Sequence, residues 1–333
     1  MVKVFYDADI EVDALGGKSV SIIGYGNQGR AQALNLRDSG AGPICIGARA
    51  GGESEARASQ DGFEVVPIAQ AARADIVALL TPDQTQKAVY EEFIAENIRS
   101  GACLLFAHGF SIHFDLIAPP AGVDVALVAP RGPGRSVRKD FLDGGGLPAT
   151  IAVAQDATGG ALDIAKSWAK GLGAGRSGIF LSDFEEECVA DLFGEQTVLC
   201  GGMISLARAA FETLVKAGYA PEMAYFECLY EIKRIADLIE TRGLPGMRDG
   251  ISTTAEFGGY ETGERLVTEE TRKEMRAILD DIRSGGFARR WMADWEAGGP
   301  RLEAYRKAAA SGAVEAAEAS ARRLARFKTE FDS

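Results

Sequence analysis

The sequence predicts a two-part chain: an α/β N-terminal Rossmann-type domain built on a doubly wound, mostly parallel sheet, then an all-α C-terminal domain. Three observations carry this. Short β-branched apolar runs alternate with helical spacing from Lys18 to about Ser182, a glycine-rich turn joins the first run to the first helical segment, and strand signals stop after Phe184.

The runs SVSIIGYG, PICIGA, DIVALL, ACLLFAHG, DVALVAP, TIAVAQD and SGIFLSD are nearly continuous in apolar residues, as strands buried on both faces must be. Between them, QGRAQALNLRDSG, SEARASQDG, TQKAVYEEFIAENIRS and GGALDIAKSWAKGLG carry helical spacing and end near Gly or Ser. Beyond Phe184 the helical patterns run on, which sets the expected division at residues 1–182 and 183–327, with 328–333 as a tail. The stretch GLPGMRDGISTTAEFGGYETGE is too rich in Gly and Thr for a simple turn and reads as a functional loop, and the cluster FGGYETGER at its end reads as a substrate-covering loop.

A chain of 333 residues with 47% apolar content can fill two cores. Its net charge of −12 argues against nucleic acid or an anionic membrane as partner and favours small molecules. Five cysteines (Cys45, Cys103, Cys188, Cys200, Cys228) show no zinc spacing and read as buried free thiols of a cytoplasmic protein. The N-terminus lacks a secretion or import pattern, and no uninterrupted apolar run reaches the ~20 residues a membrane span requires.

Gly24, Gly26 and Gly29, with Tyr25, Asn27 and Gln28 between them, form GYGNQG where the first strand gives way to a helix. In that context the glycines permit the tight turn, the approach of a pyrophosphate and close helix packing. The second strand ends at Arg49 rather than at an acidic residue. With the Ser54 hydroxyl, Arg49 favours NADPH over NADH, while Glu53 argues for the reverse.

Asp191 and Glu195, and again Glu227 and Glu231, are spaced i, i+4, so each pair shares a helix face among apolar neighbours; Glu187 extends the first face by a turn. Clustered carboxylates on partly buried faces suit hard divalent cations. Ordinary solvated faces are the alternative on spacing alone, Arg234 being a possible partner for Glu231.

The motifs GYGNQGRAQALNLRDSG, LTPDQTQ, FAHGFSIHF, VAPRGPG, DLFGEQTVLCGG, AGYAPEMAYFECLYEIK and ISTTAEFGGY, in this order, resemble the ketol-acid reductoisomerases of branched-chain amino-acid synthesis in their short, class I form, as far as about residue 325. The resemblance implies a knotted, intertwined helical domain and a homodimer or larger homo-oligomer. It implies that Asp191, Glu195, Glu227 and Glu231 ligate two Mg²⁺, the latter two from across the dimer interface, with Glu187 in the same cluster. It further implies that Ser252 touches the substrate carboxylate, that His108 lies beside the nicotinamide, and that Asp83, Gln84 and Gly134 reach the cofactor. The implied reaction binds a 2-hydroxy-3-keto acid such as 2-acetolactate to the metals, shifts an alkyl group and reduces the product with hydride to a 2,3-dihydroxy acid. Without the resemblance, His108 reads equally as a packed histidine at a strand end.

Arg131 departs from the family's usual Lys, and Arg30 and Arg135 replace its usual histidines. Arg stays protonated, so Arg131 supplies charge and hydrogen bonds but cannot act as a base. Two readings follow. In one, Arg131 replaces Lys electrostatically while Arg30 and Arg135 bind pyrophosphate; in the other, the protein reduces a different keto acid or an imine without alkyl migration. A non-enzymatic nucleotide sensor would have no use for the metal carboxylates.

Overall fold

The computed structural model describes residues 2–310 and 312–324; the expected tail, 328–333, lies outside them. The chain divides into two compact units, Met1–Ala190 and Asp191–Ser333.

All seven apolar runs form strands, and two short ones join them. The strands are β1 Lys3–Phe5, β2 Val20–Ile23, β3 Ile44–Gly47, β4 Glu64–Val66, β5 Ile76–Leu79, β6 Cys103–Phe106, β7 Asp124–Pro130, β8 Ala149–Gln155 and β9 Ile179–Leu181. They form one sheet in the order β1-β9-β8-β7-β6-β5-β2-β3-β4. Pairing is parallel except at β7 with β8 and β1 with β9. The additions, β1 and β4, are edge strands of three residues, too short to leave a periodic signal. Helices α1 Asn27–Asp38, α2 Glu53–Gln60, α3 Ile68–Ala71, α4 Asp83–Val89, α5 Phe110–His113, α6 Gly134–Leu142 and α7 Ala161–Gly171 connect the strands.

Every residue of β2, β5 and β6 is buried, as their uninterrupted apolar sequences require. Trp168 of α7 is fully buried, and its indole N–H donates to Gln32 Oε1 at 2.9 Å, so the largest core side chain leaves no orphan donor. The strand order reverses at β2, whose neighbours are β3 and β5, and open α/β sheets bind ligands beyond the carboxyl ends of strands at such a reversal.

The second unit is helical. Helix α8, Phe184–Gly194, carries the division within it and continues as a π-turn, Glu195–Leu199; α9 is Gly202–Lys216; α10, Pro221–Tyr225, continues as a second π-turn, Phe226–Tyr230. Then come α11 Ile232–Asp249, α12 Thr253–Leu266, α13 Glu269–Arg283, α14 Gly286–Glu296, α15 Pro300–Ala310 and α16 Ala313–Leu324. Phe211, Ala224, Tyr225, Val314, Ala317 and Ala321 make a small core between α9, α10 and α16.

One expectation needs correction. The substrate-covering loop is largely helix α12: Ser252 caps it, its Oγ accepting the Ala255 N–H at 3.1 Å, and this local start outweighs the helix penalty of Gly258, Gly259 and Gly263. One helical stretch, Phe184–Lys216, is long and apolar enough by length and composition to cross a bilayer, although no single apolar run is. Carboxylates Glu187, Asp191 and Glu195 break it into shorter apolar runs.

Candidate active site

The glycine turn is shaped by close approaches. Gly24 has φ of +101°, and a Cβ there would lie 2.7 Å from the Leu80 carbonyl carbon and the Thr81 nitrogen; a Cβ at Gly29 would lie 1.9 Å from the Gly24 carbonyl oxygen. Only glycine fits such positions, which brings the α1 N-terminus to the strand reversal. A second helix start meets it: a Cβ at Gly134 would sit 1.9 Å from the Asn27 carbonyl oxygen. Two helix N-termini thus converge where a pyrophosphate gains from both dipoles. Beside them, the Thr81 hydroxyl is buried without a hydrogen-bond partner among the described residues, the condition of a group awaiting a ligand.

Side chains around the turn fix its surroundings. The Tyr25 ring is turned into the core, 1% exposed, and its hydroxyl donates to Asp61 at 2.9 Å. Arg30, expected at the pyrophosphate, instead makes a two-pronged pair with Asp61 at 2.7 and 3.0 Å. Gln28 Nε2 donates to the Gly132 carbonyl at 2.9 Å, while Gln32 Nε2 donates to Gln28 Oε1 at 3.1 Å. A polar chain therefore runs from Trp168 through Gln32 and Gln28 to the Arg131–Gly134 loop.

Beyond β3 and β4, Ala48, Arg49, Val66, Pro67, Ile68 and Glu55 line a cavity of about 280 Å³. Glu53 is exposed at the first position of α2 and Ser54 is half-buried, whereas Glu55 turns back to accept the Gly51 N–H at 2.5 Å. The cavity's carboxylate is therefore Glu55, two residues beyond the one the sequence suggested.

At the carboxyl end of β6 stands His108. Its Nδ1 lies 3.2 Å from Glu187 Oε2, and the same oxygen accepts the Gly109 N–H at 2.8 Å. Glu187 is only 2% exposed. Burial opposes protonation of His108, yet hydrogen bonds to Cys188 and Glu187, with the charges of Glu187 and Asp83, outweigh it and raise the imidazole from 6.5 to about 11. The pair is thus an imidazolium held against a buried carboxylate. Asp191 follows Glu187 by one turn of α8 and shares its face.

A π-turn adjoins each carboxylate pair: the first begins at Glu195, with Asp191 before it in α8, and the second holds Glu227, with Glu231 just past its end. Cys200 N–H donates to the Glu195 carbonyl at 2.8 Å and Glu231 N–H to the Phe226 carbonyl at 3.2 Å, each across five residues. Asp191 and Glu195 keep their shared face because the step between them runs along α8, and single π-turns are frequent at functional sites. The expected partial burial does not hold within this chain, where Asp191 is half-buried and Glu195, Glu227 and Glu231 are exposed.

Residues 14–178 match the family Acetohydroxy acid isomeroreductase, NADPH-binding domain, and residues 184–327 match Ketol-acid reductoisomerase, C-terminal domain. The chain belongs to the ketol-acid reductoisomerase family. Among solved structures it is similar to an NADH-preferring ketol-acid reductoisomerase from an uncultured archean, at 41% identity and a TM-score of 0.94, covering 98% of this chain and 100% of that one. Two more distant likenesses show the fold alone. A putative oxidoreductase from Jannaschia sp. CCS1 has 17% identity, TM-score 0.61 and coverage of 80% and 96%; a semialdehyde dehydrogenase NAD-binding protein from Cupriavidus necator has 19%, 0.58 and coverage of 80% and 99%. The protein is therefore an oxidoreductase, a ketol-acid reductoisomerase-type enzyme with an NAD(P)H-binding domain, of branched-chain amino-acid biosynthesis.

In this ketol-acid reductoisomerase, α4 starts at Asp83 and Gln84, both half-buried, and Arg49, Arg131 and Arg135 are exposed at strand or helix ends of the first unit. Ser252 is exposed in the helical unit as the cap of α12. Sequence reasoning missed Gln86, Ser111 and Cys188. Gln86 is buried beneath the site, donating to the Thr81 carbonyl at 3.0 Å and accepting from Ser111 Oγ at 2.7 Å. Its signal was a second amide inside LTPDQTQ. Cys188 is buried beside His108, with nothing in its sequence context to mark it. Cys200, expected to be buried, is exposed just after the first π-turn.

Proposed function

We propose that this enzyme converts 2-acetolactate and related 2-hydroxy-3-keto acids to 2,3-dihydroxy acids as a cytoplasmic homo-oligomer with two Mg²⁺ and a nicotinamide dinucleotide. The observation that carries the reading is the buried His108–Glu187 pair, one helical turn from Asp191, at the carboxyl edge of a sheet whose glycine turn is built for a pyrophosphate. The donor set fits the metal: Asp191, Glu195, Glu227 and Glu231 are all hard oxygen donors of the kind Mg²⁺ takes. These four would hold Mg²⁺, Glu227 and Glu231 serving the site of a second copy. Bound there, the ions polarise substrate oxygens and the cofactor supplies hydride.

The chain's own groups have separable tasks. Glu187 orients His108 and keeps it charged, so the imidazolium holds a proton next to where oxyanion charge develops. Arg131 supplies a fixed positive charge and cannot exchange a proton near neutrality. Ser252 offers its hydroxyl to the substrate carboxylate.

For the cofactor, Arg49 and Ser54 support NADPH, but Glu55 in the cavity beyond β3 supports NADH, since a carboxylate there accepts ribose hydroxyls and repels a 2′-phosphate. We favour NADH, which accords with the preference stated for the archaeal relative. A second copy is supported by α11 and α12, which bury no residue in this chain yet carry Ile235, Ile239, Leu244, Phe257, Tyr260 and Leu266 exposed. Met203, Ile204 and Leu206 of α9, also exposed, are read in the same way, as covered by protein rather than lipid.

Incubation of the purified enzyme with Mg²⁺, NADH or NADPH and 2-acetolactate tests the function. Formation of the dihydroxy acid with matching nucleotide oxidation is expected. Reduction of the already isomerised 2-keto acid, with no turnover of 2-acetolactate, would establish instead the reading without alkyl migration.

A further inference from the structure

We infer that Thr150 is a positioning residue that locks the Arg131 guanidinium into the active site. The inference deepens the reading of Arg131 as the site's fixed charge and rests on it. Thr150 carries the one hydroxyl in the otherwise apolar start of β8, ATIAVA, and is 3% exposed. A hydroxyl so buried needs a partner, and none of the apolar side chains along that start can provide one. Arg131 does: its Nη2 donates to Thr150 Oγ1 at 2.6 Å, a short, charge-assisted bond.

The surrounding geometry makes this bond a lock. Arg131 directly follows β7, where Ala129 pairs with Thr150 and Pro130 with Ala149, and its own N–H donates to the Pro148 carbonyl at 2.8 Å. From the other side, Gln28 grips the next residue through the Gly132 carbonyl. The backbone of the loop is therefore pinned from two directions, and the Thr150 hydroxyl holds one branch of the guanidinium at the far end of the side chain. A planar guanidinium carries five N–H donors in one rigid plane, so a bond from one branch to Thr150 fixes the orientation of the whole group. A lysine ammonium is shorter and carries no second branch, so the lock is matched to arginine.

The test uses the full-length enzyme with Mg²⁺, nicotinamide cofactor and 2-acetolactate. Thr150→Val keeps the shape and removes the hydroxyl; kcat is expected to fall about tenfold, with cofactor Kd within twofold of the parent. Thr150→Ser should restore kcat to within about threefold. In an Arg131→Lys background, Thr150→Val should change kcat by less than about twofold, because the bond it removes is already gone. A kcat for Thr150→Val within twofold of the parent overturns the inference while leaving Arg131's role intact. Equal losses in both backgrounds also overturn it, since they mark a general packing defect. Full activity of Arg131→Met, by contrast, would refute the underlying reading of Arg131 itself.

Discussion

Replacing Glu187 by Gln changes one charge and almost no volume at the centre of the site. In the parent, the carboxylate is 2% exposed, accepts the Gly109 N–H at 2.8 Å and faces His108 Nδ1 at 3.2 Å. Removing one partner of a buried charged pair costs about 3–5 kcal/mol. At about 1.36 kcal/mol per pKa unit, that lowers the His108 pKa by about two to four. Burial, which already opposes protonation, then acts with less opposition. The chain has only two histidines, His108 and His113, so their Cε1–H resonances can be followed by NMR in metal-free enzyme from pH 5 to 10. In the parent, the His108 signal should stay that of an imidazolium throughout, since its pKa is raised to about 11. In Glu187→Gln it should titrate inside that window. The stability consequence has a definite sign: a raised folded-state pKa stabilises fully below the unfolded value near 6.5, and the gain fades as pH climbs towards the folded value. A parent His108 that titrates near 6.5 would refute the reasoning.

Other perturbations reach different parts of the account. Gly134→Ala drives a methyl into the Asn27 carbonyl, at 1.9 Å before relaxation, and should cost about 1–3 kcal/mol of stability and weaken nucleotide binding at least about tenfold by fluorescence titration; an unchanged Kd would show that the two helix starts do not form the pyrophosphate site. Glu55→Gln should move the NADH-to-NADPH ratio of kcat/KM about tenfold towards NADPH, and an unmoved ratio removes Glu55 from cofactor selection. Asp61→Asn should lower the melting temperature at pH 7, but hardly at pH 2. The Arg30 hydrogen bond, helped by Tyr25, holds the Asp61 carboxyl below its ordinary range, so its stabilisation is present above about pH 3.9 and lost as pH falls through the lower folded value. Equal destabilisation at both pH values would contradict this.

What the sequence makes legible divides along physical lines. The glycine turn is readable because its constraint is steric and local: Gly24 and Gly29 are required by the backbone itself. The i, i+4 carboxylates are readable as sharing a face, but the π-turns that adjoin them are not, because one widened turn leaves no mark in residue spacing. Side-chain direction is where the reading fails. Glu53 and Glu55 begin the same helix, and only the fold decides that Glu55 turns to the Gly51 N–H while Glu53 meets solvent. Arg30 follows the glycine turn directly, yet Asp61, thirty-one residues on, claims it. The stretch 253–266 misleads by composition, since its glycines suggest a loop while the Ser252 cap starts a helix.

The central claim is that Asp191, Glu195, Glu227 and Glu231 gather divalent ions for the reaction. Mn²⁺ titration of the full-length enzyme, with free ion read by electron paramagnetic resonance, addresses it most directly. Two tightly bound ions per chain are expected, with loss of tight binding in both Asp191→Asn and Glu231→Gln. Retention of full Mn²⁺ binding by either variant would contradict the claim.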